Sequence, residues 1–405
     1  MKILIPFSYY HPEQCAGLFV IDDMTEEAAK QGISSLITVP TPTRNVPDGA
    51  NWERNEVLHN GKVKVHRFRM FGEGTNPVIR AFRYLLCEIV QLHYLLWNDY
   101  DVAFIDSTPP IQGLKLPIVR LFRRNKRFVY NAQDLFPETL SGTGLAPKDG
   151  LLWKIGMWVS NVTFKYSDKI ITISEDIKKS ILARGIPSEK IEVVYNWVDE
   201  NAVRPVDKEE NPLFDKFGLS RRKFTIVYAG NLGNAQNIEI VIDGARELPE
   251  VPFAIFGSGG LEASIRKHIT EENLVNVHLN PLQPMDKVRF VYSLGDACLV
   301  SCKESLGGSA MPSKTWSIMS CGRPVIASFD EGDLKEILEN NNCGVFCHAG
   351  NLREFVTAIN MLAEDRDMCN KMGNNAREYI LNNLTKEVGA KKYVEILKSV
   401  LCKRN

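Results

Sequence analysis

No stretch of this sequence approaches the roughly 20 consecutive apolar residues that a membrane-crossing helix needs. The nearest, Tyr84–Trp97, is interrupted by Glu88, Gln91 and His93. The opening residues MKILIPFSYY turn polar too soon for a secretory leader, so they read as a first buried strand and a cytoplasmic location is expected. Paired zinc-type spacing is missing as well. Cys298 with Cys302 and Cys343 with Cys347 are C-x3-C, with His348 beside the second pair, whereas a structural metal site needs CxxC twice over. Nine cysteines in 405 residues do not make a disulfide framework either, and small core thiols in a reducing compartment are expected. Net charge is absent too: Lys+Arg and Asp+Glu are equal at 49 each, which removes any global electrostatic argument for nucleic acid.

What is present is ordinary globular composition, 44% hydrophobic and 24% charged, in a chain long enough for two cores. Short β-branched runs alternate with longer amphipathic stretches, the pattern of parallel sheets with crossover helices. Strands are expected at Lys2–Phe7, Ser34–Val39, Val63–Phe68, Asp101–Asp106, Arg127–Asn131, Lys169–Ile173 and Lys190–Tyr195, with helices such as Asp22–Gln31 and Pro77–Trp97 between them. Most of these runs are apolar throughout, as strands covered on both faces should be. Residues 201–220 are polar, hold two prolines and carry no strand signal, which suggests a linker. The pattern restarts with Phe224–Tyr228, Phe253–Phe256, Val277–Leu279, Ala297–Ser301, Pro324–Ser328 and Val345–Cys347.

The expected fold class is therefore α/β, with two Rossmann-like doubly wound domains facing a central cleft. Residues 1–200 form the N-terminal domain, 201–220 the linker and 221–385 the C-terminal domain. The final segment 386–405 is a helix packing back toward the N-terminal domain. Doubly wound sheets bind ligands at the carboxyl ends of their strands, and dehydrogenases or epimerases would satisfy that rule equally.

Four loops after expected strands carry candidate chemistry. Ala229–Asn237, AGNLGNAQN, has glycines at 230 and 233 that let backbone N–H groups approach a ligand, or that simply make a tight turn. Phe256–Gly260, FGSGG, does not complete a G-x-G-x-x-G and comes one βαβ unit late for a dinucleotide fingerprint, so a plain turn and a binding loop fit it alike. Lys303–Pro324, KESLGGSAMPSKTWSIMSCGRP, runs through a Gly-Gly loop into a helix expected to begin near Pro312 and to end at Gly322. Lys314 then falls in the first helical turn, where it would complete a diphosphate site, although a solvated surface lysine has the same spacing. Glu304 either accepts hydrogen bonds from sugar hydroxyls or is a surface acid. Asn131–Glu138, NAQDLFPE, places Asp134 and Glu138 after a strand of the first domain, where a carboxylate can orient an acceptor hydroxyl or merely cap a turn. Ser107–Pro110, STPP, ends a neighbouring strand.

Taken with YYHPEQCAGLF, ITISEDIKKSILARGIPSEKIEVVYNWVD and MPSKTWSIMSCGRPVIA, these loops make nearly the whole chain similar to the retaining GT-B glycosyltransferases of family 4. Within that family the likeness is to bacterial enzymes of colanic-acid, capsule and O-antigen assembly, including fucosyl- and fucosaminyltransferase-like members. The resemblance implies a UDP- or GDP-sugar donor bound mainly by the C-terminal domain, and an acceptor bound by the N-terminal one. It implies retention of configuration, no cofactor and no obligatory metal. Asp134, Glu304 and Lys314 match the reacting-centre positions. Gly230, Asn231, Gly233, Gly257, Ser258, Gly259, Lys303, Gly307, Gly308 and Ser313 match the donor loops, and Gly17 an N-terminal glycine near the donor phosphates.

There are two departures from the family pattern. A glutamate that relatives place after Pro-Ser-Lys, thought to hold the donor ribose, is Ser317 here, and the loop GNLGNAQN lacks the Arg and Lys that many members carry. More of the diphosphate charge would then fall on Lys314 and Lys303.

On the acceptor side, Ile111–Arg127 holds six basic residues and no acidic ones. With the mostly apolar Arg80–Trp97 it fits contact with an anionic membrane surface presenting a polyprenyl-diphosphate-linked sugar, and equally a crossover helix with a charged outer face. A sugar-nucleotide epimerase, a NAD-dependent oxidoreductase and a catalytically idle sugar-nucleotide binder stand as rival readings.

Overall fold

The computed structural model describes residues 1–402 apart from 14, 16, 75, 140–149 and 308–310. The chain divides into two compact units, Met1–Tyr195 together with Glu387–Asn405, and Asn196–Lys386.

In the first unit the strands are β1 (Lys2–Pro6), β2 (Ser34–Pro40), β3 (Asn55–Leu58), β4 (Val63–Phe68), β5 (Val102–Asp106), β6 (Arg127–Ala132), β7 (Lys169–Thr172) and β8 (Ile191–Val193). They order as β3-β4-β2-β1-β5-β6-β7-β8, all parallel except β3, which runs antiparallel to β4. The apolar runs behave as expected: β5 is buried along its whole length, so helices must cover both faces. Four of these matter below: α1 (Leu18–Lys30), α2 (Pro77–Trp97), α3 (Leu116–Phe122) and α4 (Leu151–Tyr166). Helix α2 starts where the Asn76 side chain accepts the Val78 and Ile79 N–H groups at 2.8 and 3.4 Å, with Pro77 in the first turn. The C-terminal helix Lys386–Cys402 buries Tyr393, Val394, Leu397 and Val400. The Tyr393 ring lies tilted at 6.0 Å from Phe104 of β5, and its hydroxyl donates to the side-chain amide oxygen of Asn131 on β6 at 3.0 Å.

In the second unit β9 (Ile226–Asn231), β10 (Phe253–Ser258), β11 (Val277–Asn280), β12 (Ala297–Ser301), β13 (Val325–Phe329) and β14 (Gly344–His348) order as β11-β10-β9-β12-β13-β14. All of these pairings are parallel. One core cluster gathers Val241, Ile255, Leu299, Ile326, Phe355 and Ile359 between sheet and helices. Both units are thus Rossmann-like α/β sheets. No helix among the described residues is long and apolar enough to cross a membrane.

The stretch 201–220 differs from a free tether. Its segment Leu213–Phe217 is helical, Phe214 is buried, and Gly218 ends the helix at φ 66°. Asn211 donates to the Phe290 carbonyl at 2.8 Å and Lys208 pairs with Asp296 at 2.7 Å, so this polar segment is packed onto the second unit.

Each sheet reverses its winding at one strand. β1 lies between β2 and β5, and β9 lies between β10 and β12. The residues leaving those strands are where a doubly wound sheet opens a crevice for ligands.

Candidate functional site

At the reversal point of the second unit, β9 and β10 stay in register to their ends, with Gly257 opposite Gly230 and Ser258 opposite Asn231. The glycines there answer to each other. A Cβ on Gly257 would stand 2.4 Å from the Gly230 carbonyl oxygen, and one on Gly259 would stand 2.6 Å from the Leu232 carbonyl oxygen. Leu232 and Leu261 close the pair of loops, Leu232 N–H donating to Ser258 O and Leu261 N–H to Leu232 O, both at 2.9 Å. These two glycines therefore serve the close approach of the two loops. Gly233 is extended, and its missing side chain leaves room for Asn231 and Gln236.

Gly230 is different. At φ 147°, its Cβ position points at Lys314, whose Nζ would be 3.1 Å away. Lys314 opens the helix Lys314–Ser320, two residues after the expected start near Pro312, with Gly322 beyond its end at φ 66°. The ammonium donates to the Tyr228 hydroxyl at 3.2 Å and lies 4.3 Å from the centre of that ring. Tyr228 in turn donates to the Asn231 carbonyl oxygen at 2.7 Å. No described carboxylate pairs with Lys314, and desolvation pulls its pKa down to about 8. A half-buried cation held by an aromatic ring and a hydroxyl can take an anion as its counter-charge.

The loop after β12 is fixed by Asp330, which sequence reasoning passed over. Its carboxylate accepts the N–H groups of Ser305 and Gly307 at 3.0 and 2.7 Å, and Ser305 takes φ 67° to allow it. Gly307 is buried where a Cβ would meet the Phe329 ring at 2.7 Å, so its role is packing. Gly308 lies outside the described residues. Lys303 donates its backbone N–H to Ala235 O at 2.9 Å and its ammonium is 3.8 Å from Glu239. Ser301 Oγ donates to Gln236 O at 2.6 Å. These two bonds tie the β9 and β12 loops together around the reversal point. Glu304 and Ser313 are exposed, and Ser317 sits part-buried one turn along the helix from Lys314.

The first unit has its own opening at its reversal point. A cavity of about 300 Å³ is lined by Phe7, Ser8 and Tyr9 after β1 and by Asp106 and Thr108 at the end of β5, with Cys15 and Arg44 alongside. Asp106 is buried, accepting Asn131 Nδ2–H at 3.0 Å and the Thr108 N–H at 3.2 Å. Burial outweighs those donors and pushes its carboxyl up to about 6. Arg44 stacks over Tyr9 at 5.4 Å, held by Glu13, whose buried carboxylate accepts the Thr43 and Arg44 N–H groups at 2.8 and 2.9 Å.

Asp134 follows β6 and keeps part of its surface exposed, and the protein packed around the rest raises its carboxyl pKa by desolvation. Its companion Glu138 is instead bound to Arg184 at 2.5 Å, a structural ion pair. Gly17 caps α1 at φ 86° with nothing near its Cβ position.

Both halves of the chain match family models: residues 19–202 match Glycosyltransferase Family 4, and residues 209–379 match Glycosyl transferases group 1. The chain belongs to the GT-B glycosyltransferases. It is 26% identical over 335 residues to the Escherichia coli (strain K12) glycosyl transferase WcaI, named for colanic acid biosynthesis, covering 80% of this chain and 82% of that one. In fold it resembles sucrose-phosphate synthase of Thermosynechococcus elongatus, with TM-score 0.77 and 16% identity over 99% of each chain. It also resembles Anabaena HepE solved with UDP, with TM-score 0.73 and 17% identity over 98% of this chain and 100% of that one.

Within this glycosyltransferase the C-terminal unit brings together Lys314, Gly230 and Asn231, and adds Tyr228, which reads in sequence as one more buried strand residue. Gly257, Gly259 and Gly307 are placed as spacers. Asp106 and Arg44 were not singled out in the sequence. The signal for Asp106 was available, an acid closing the fully apolar strand VAFID directly before STPP. Arg44 follows no motif and is located only by its contacts with Tyr9 and Glu13 at the cavity.

Proposed function

We propose that this glycosyltransferase moves a sugar from a UDP- or GDP-sugar to a hydroxyl of a growing, lipid-linked cell-surface glycan, with retention of configuration. The observation that carries the donor assignment is the Lys314 ammonium, without a carboxylate partner among the described residues, at the reversal point of the second sheet beside the Gly230 backbone. A diphosphate supplies the two things this ammonium lacks, a counter-charge and further acceptors. Solved structures of Anabaena HepE with UDP and with UDP-glucose favour the same donor chemistry.

Lys314 neutralises the leaving diphosphate in this reading, with Lys303 as a second cation. Ser313 and Ser317 lie on the donor side, Ser317 at the ribose. Glu304 accepts hydrogen bonds from the transferred sugar, and Asp134 faces the reacting carbon. Retention requires the acceptor hydroxyl to approach the face from which the diphosphate departs. Oriented charge then carries most of the rate enhancement, with no strong base and no obligatory metal.

The test is thermal stabilisation by UDP, GDP and NAD at equal concentration, on the wild type and on Lys314→Ala. A ligand at a hundred times its dissociation constant adds about 2.7 kcal/mol. One nucleoside diphosphate should stabilise the wild type and act weakly on the variant. Stabilisation by NAD alone would replace the transferase reading with an oxidoreductase. Release of free nucleoside diphosphate, rather than an altered sugar nucleotide, separates transfer from epimerisation.

A further inference from the structure

Helix α2 buries one side and exposes an apolar stripe on the other. Arg83, Cys87, Gln91 and Leu95 turn inward and are buried. The outward stripe is Val78, Phe82, Leu85, Ile89 and Trp97, at helical spacing and 75, 56, 53, 56 and 75% exposed. A surface helix normally carries polar residues on that side. Between Ala81 and Trp97 the single exposed polar side chain of α2 is His93. The stripe follows all 21 residues of the helix, about 30 Å at 1.5 Å per residue.

The neighbouring helices continue the pattern. α3 packs beside α2 and exposes Ile118, Leu121 and Phe122, and α4 packs beside α3 and exposes Ile155 and Trp158. Scattered apolar surface residues need no explanation, but a band crossing three adjacent helices marks an interaction face. Its charge is one-sided. Across α2, α3 and α4 the sole acid is Glu88, which is buried against Lys115 at 2.7 Å, while Arg124, Lys154 and Lys165 are exposed on or next to these helices; the exposed Asp99 just beyond α2 is paired with Lys2 at 2.5 Å.

We propose that this face docks on the surface of an anionic lipid bilayer, with the α2 stripe among the headgroups and the cations against the lipid phosphates. The occupant follows from what the face offers. A protein partner would meet about one hydrogen bond per 100–200 Å² of interface, and the α2 stripe supplies almost no group to make them. A bilayer asks for apolar side chains flanked by positive charge and nothing more. The inference needs no nucleotide and stands apart from the donor assignment.

The experiment is flotation of the full chain with phosphatidylglycerol–phosphatidylcholine vesicles and with phosphatidylcholine vesicles alone. Compared are the wild type, the double variant Phe82→Ser, Ile89→Ser, and the double variant Lys154→Glu, Lys165→Glu. Sedimentation velocity is run on the same samples. Wild type should float with the anionic vesicles and at least tenfold less with the neutral ones. Each double variant should lose at least tenfold in vesicle binding at unchanged Tm, since all four side chains are exposed. Failure of the wild type to float, or equal flotation of the Ser variant, overturns the proposal. So does a wild-type dimer without vesicle binding that the Ser variant converts to monomer, which would assign the face to a second copy of the chain.

Discussion

The Lys314 ammonium takes both of its close contacts from one residue, donating to the Tyr228 hydroxyl at 3.2 Å while lying 4.3 Å from the centre of that ring. Nothing in this arrangement uses up the positive charge. We predict that Lys314→Ala lowers turnover at least a hundredfold with no loss of Tm. Tyr228→Phe, which keeps ring and cation, should cost less than tenfold. Steady-state kinetics beside thermal melts checks both, and near-normal activity of Lys314→Ala would remove its assigned role.

The depressed pKa of Lys314 gives a pH signature. Free, the lysine is charged below about 8, and a bound diphosphate raises that value by supplying the counter-charge. Binding then takes up a proton above pH 8, so nucleoside diphosphate affinity should weaken as pH rises past 8, approaching tenfold per unit. Calorimetry from pH 7 to 9.5 should show this slope in the wild type and not in Lys314→Met.

Alanine at the two facing glycines should separate packing from binding. Gly257→Ala drives a Cβ to 2.4 Å from the Gly230 carbonyl and should cost about 3 kcal/mol of stability as the loops part. Gly230→Ala meets the lysine tip at 3.1 Å at φ 147°, so it should destabilise and also shift the ammonium, weakening diphosphate binding beyond the loss of stability. Urea melts and titrations on both variants distinguish the two outcomes.

Asp106 makes a stability prediction with a definite sign. Its carboxyl has a folded pKa of about 6 against 3.8 for the free group, so between those values the folded state holds more protons than the unfolded one. Stability contributed at this position is therefore full below pH 4 and is lost as pH rises through 6. Relative to Asp106→Asn, the wild type should become progressively less stable across that window and level off above it. Paired denaturation series from pH 4 to 7 measure the difference, and a flat difference would mean the acid is ionised throughout.

The strands of both sheets were legible because each is a short apolar run between polar loops; Val63–Phe68 and Ala297–Ser301 fall at their expected bounds. Strand β3 was not, since Asn55–Leu58 is an exposed edge with only one partner and its residues carry no burial pattern. Residues 201–220 read as a linker by composition, and their packing onto the second unit rests on side-chain bonds such as Lys208 to Asp296, which composition does not display. The glycine loops announced themselves, but sequence could not say which glycine spares room for a neighbouring strand and which for a lysine. Tyr228 and Asp106 stayed hidden for a shared reason. Asp106 closes a buried strand and Tyr228 lies within one, so each looks like part of its strand until the sheet order shows which strand ends open a crevice.

Tyr393 closes a chain of hydrogen bonds to Asn131 and from Asn131 to Asp106, at 3.0 Å each. The residues that seat the acid of the first unit are thus separated in the gene by the whole of the second. On the ribosome, which delivers the N-terminus first, the second unit can complete its core while the first still lacks a helix. A protein truncated before that helix would keep an intact C-terminal sheet and an unfinished N-terminal pocket.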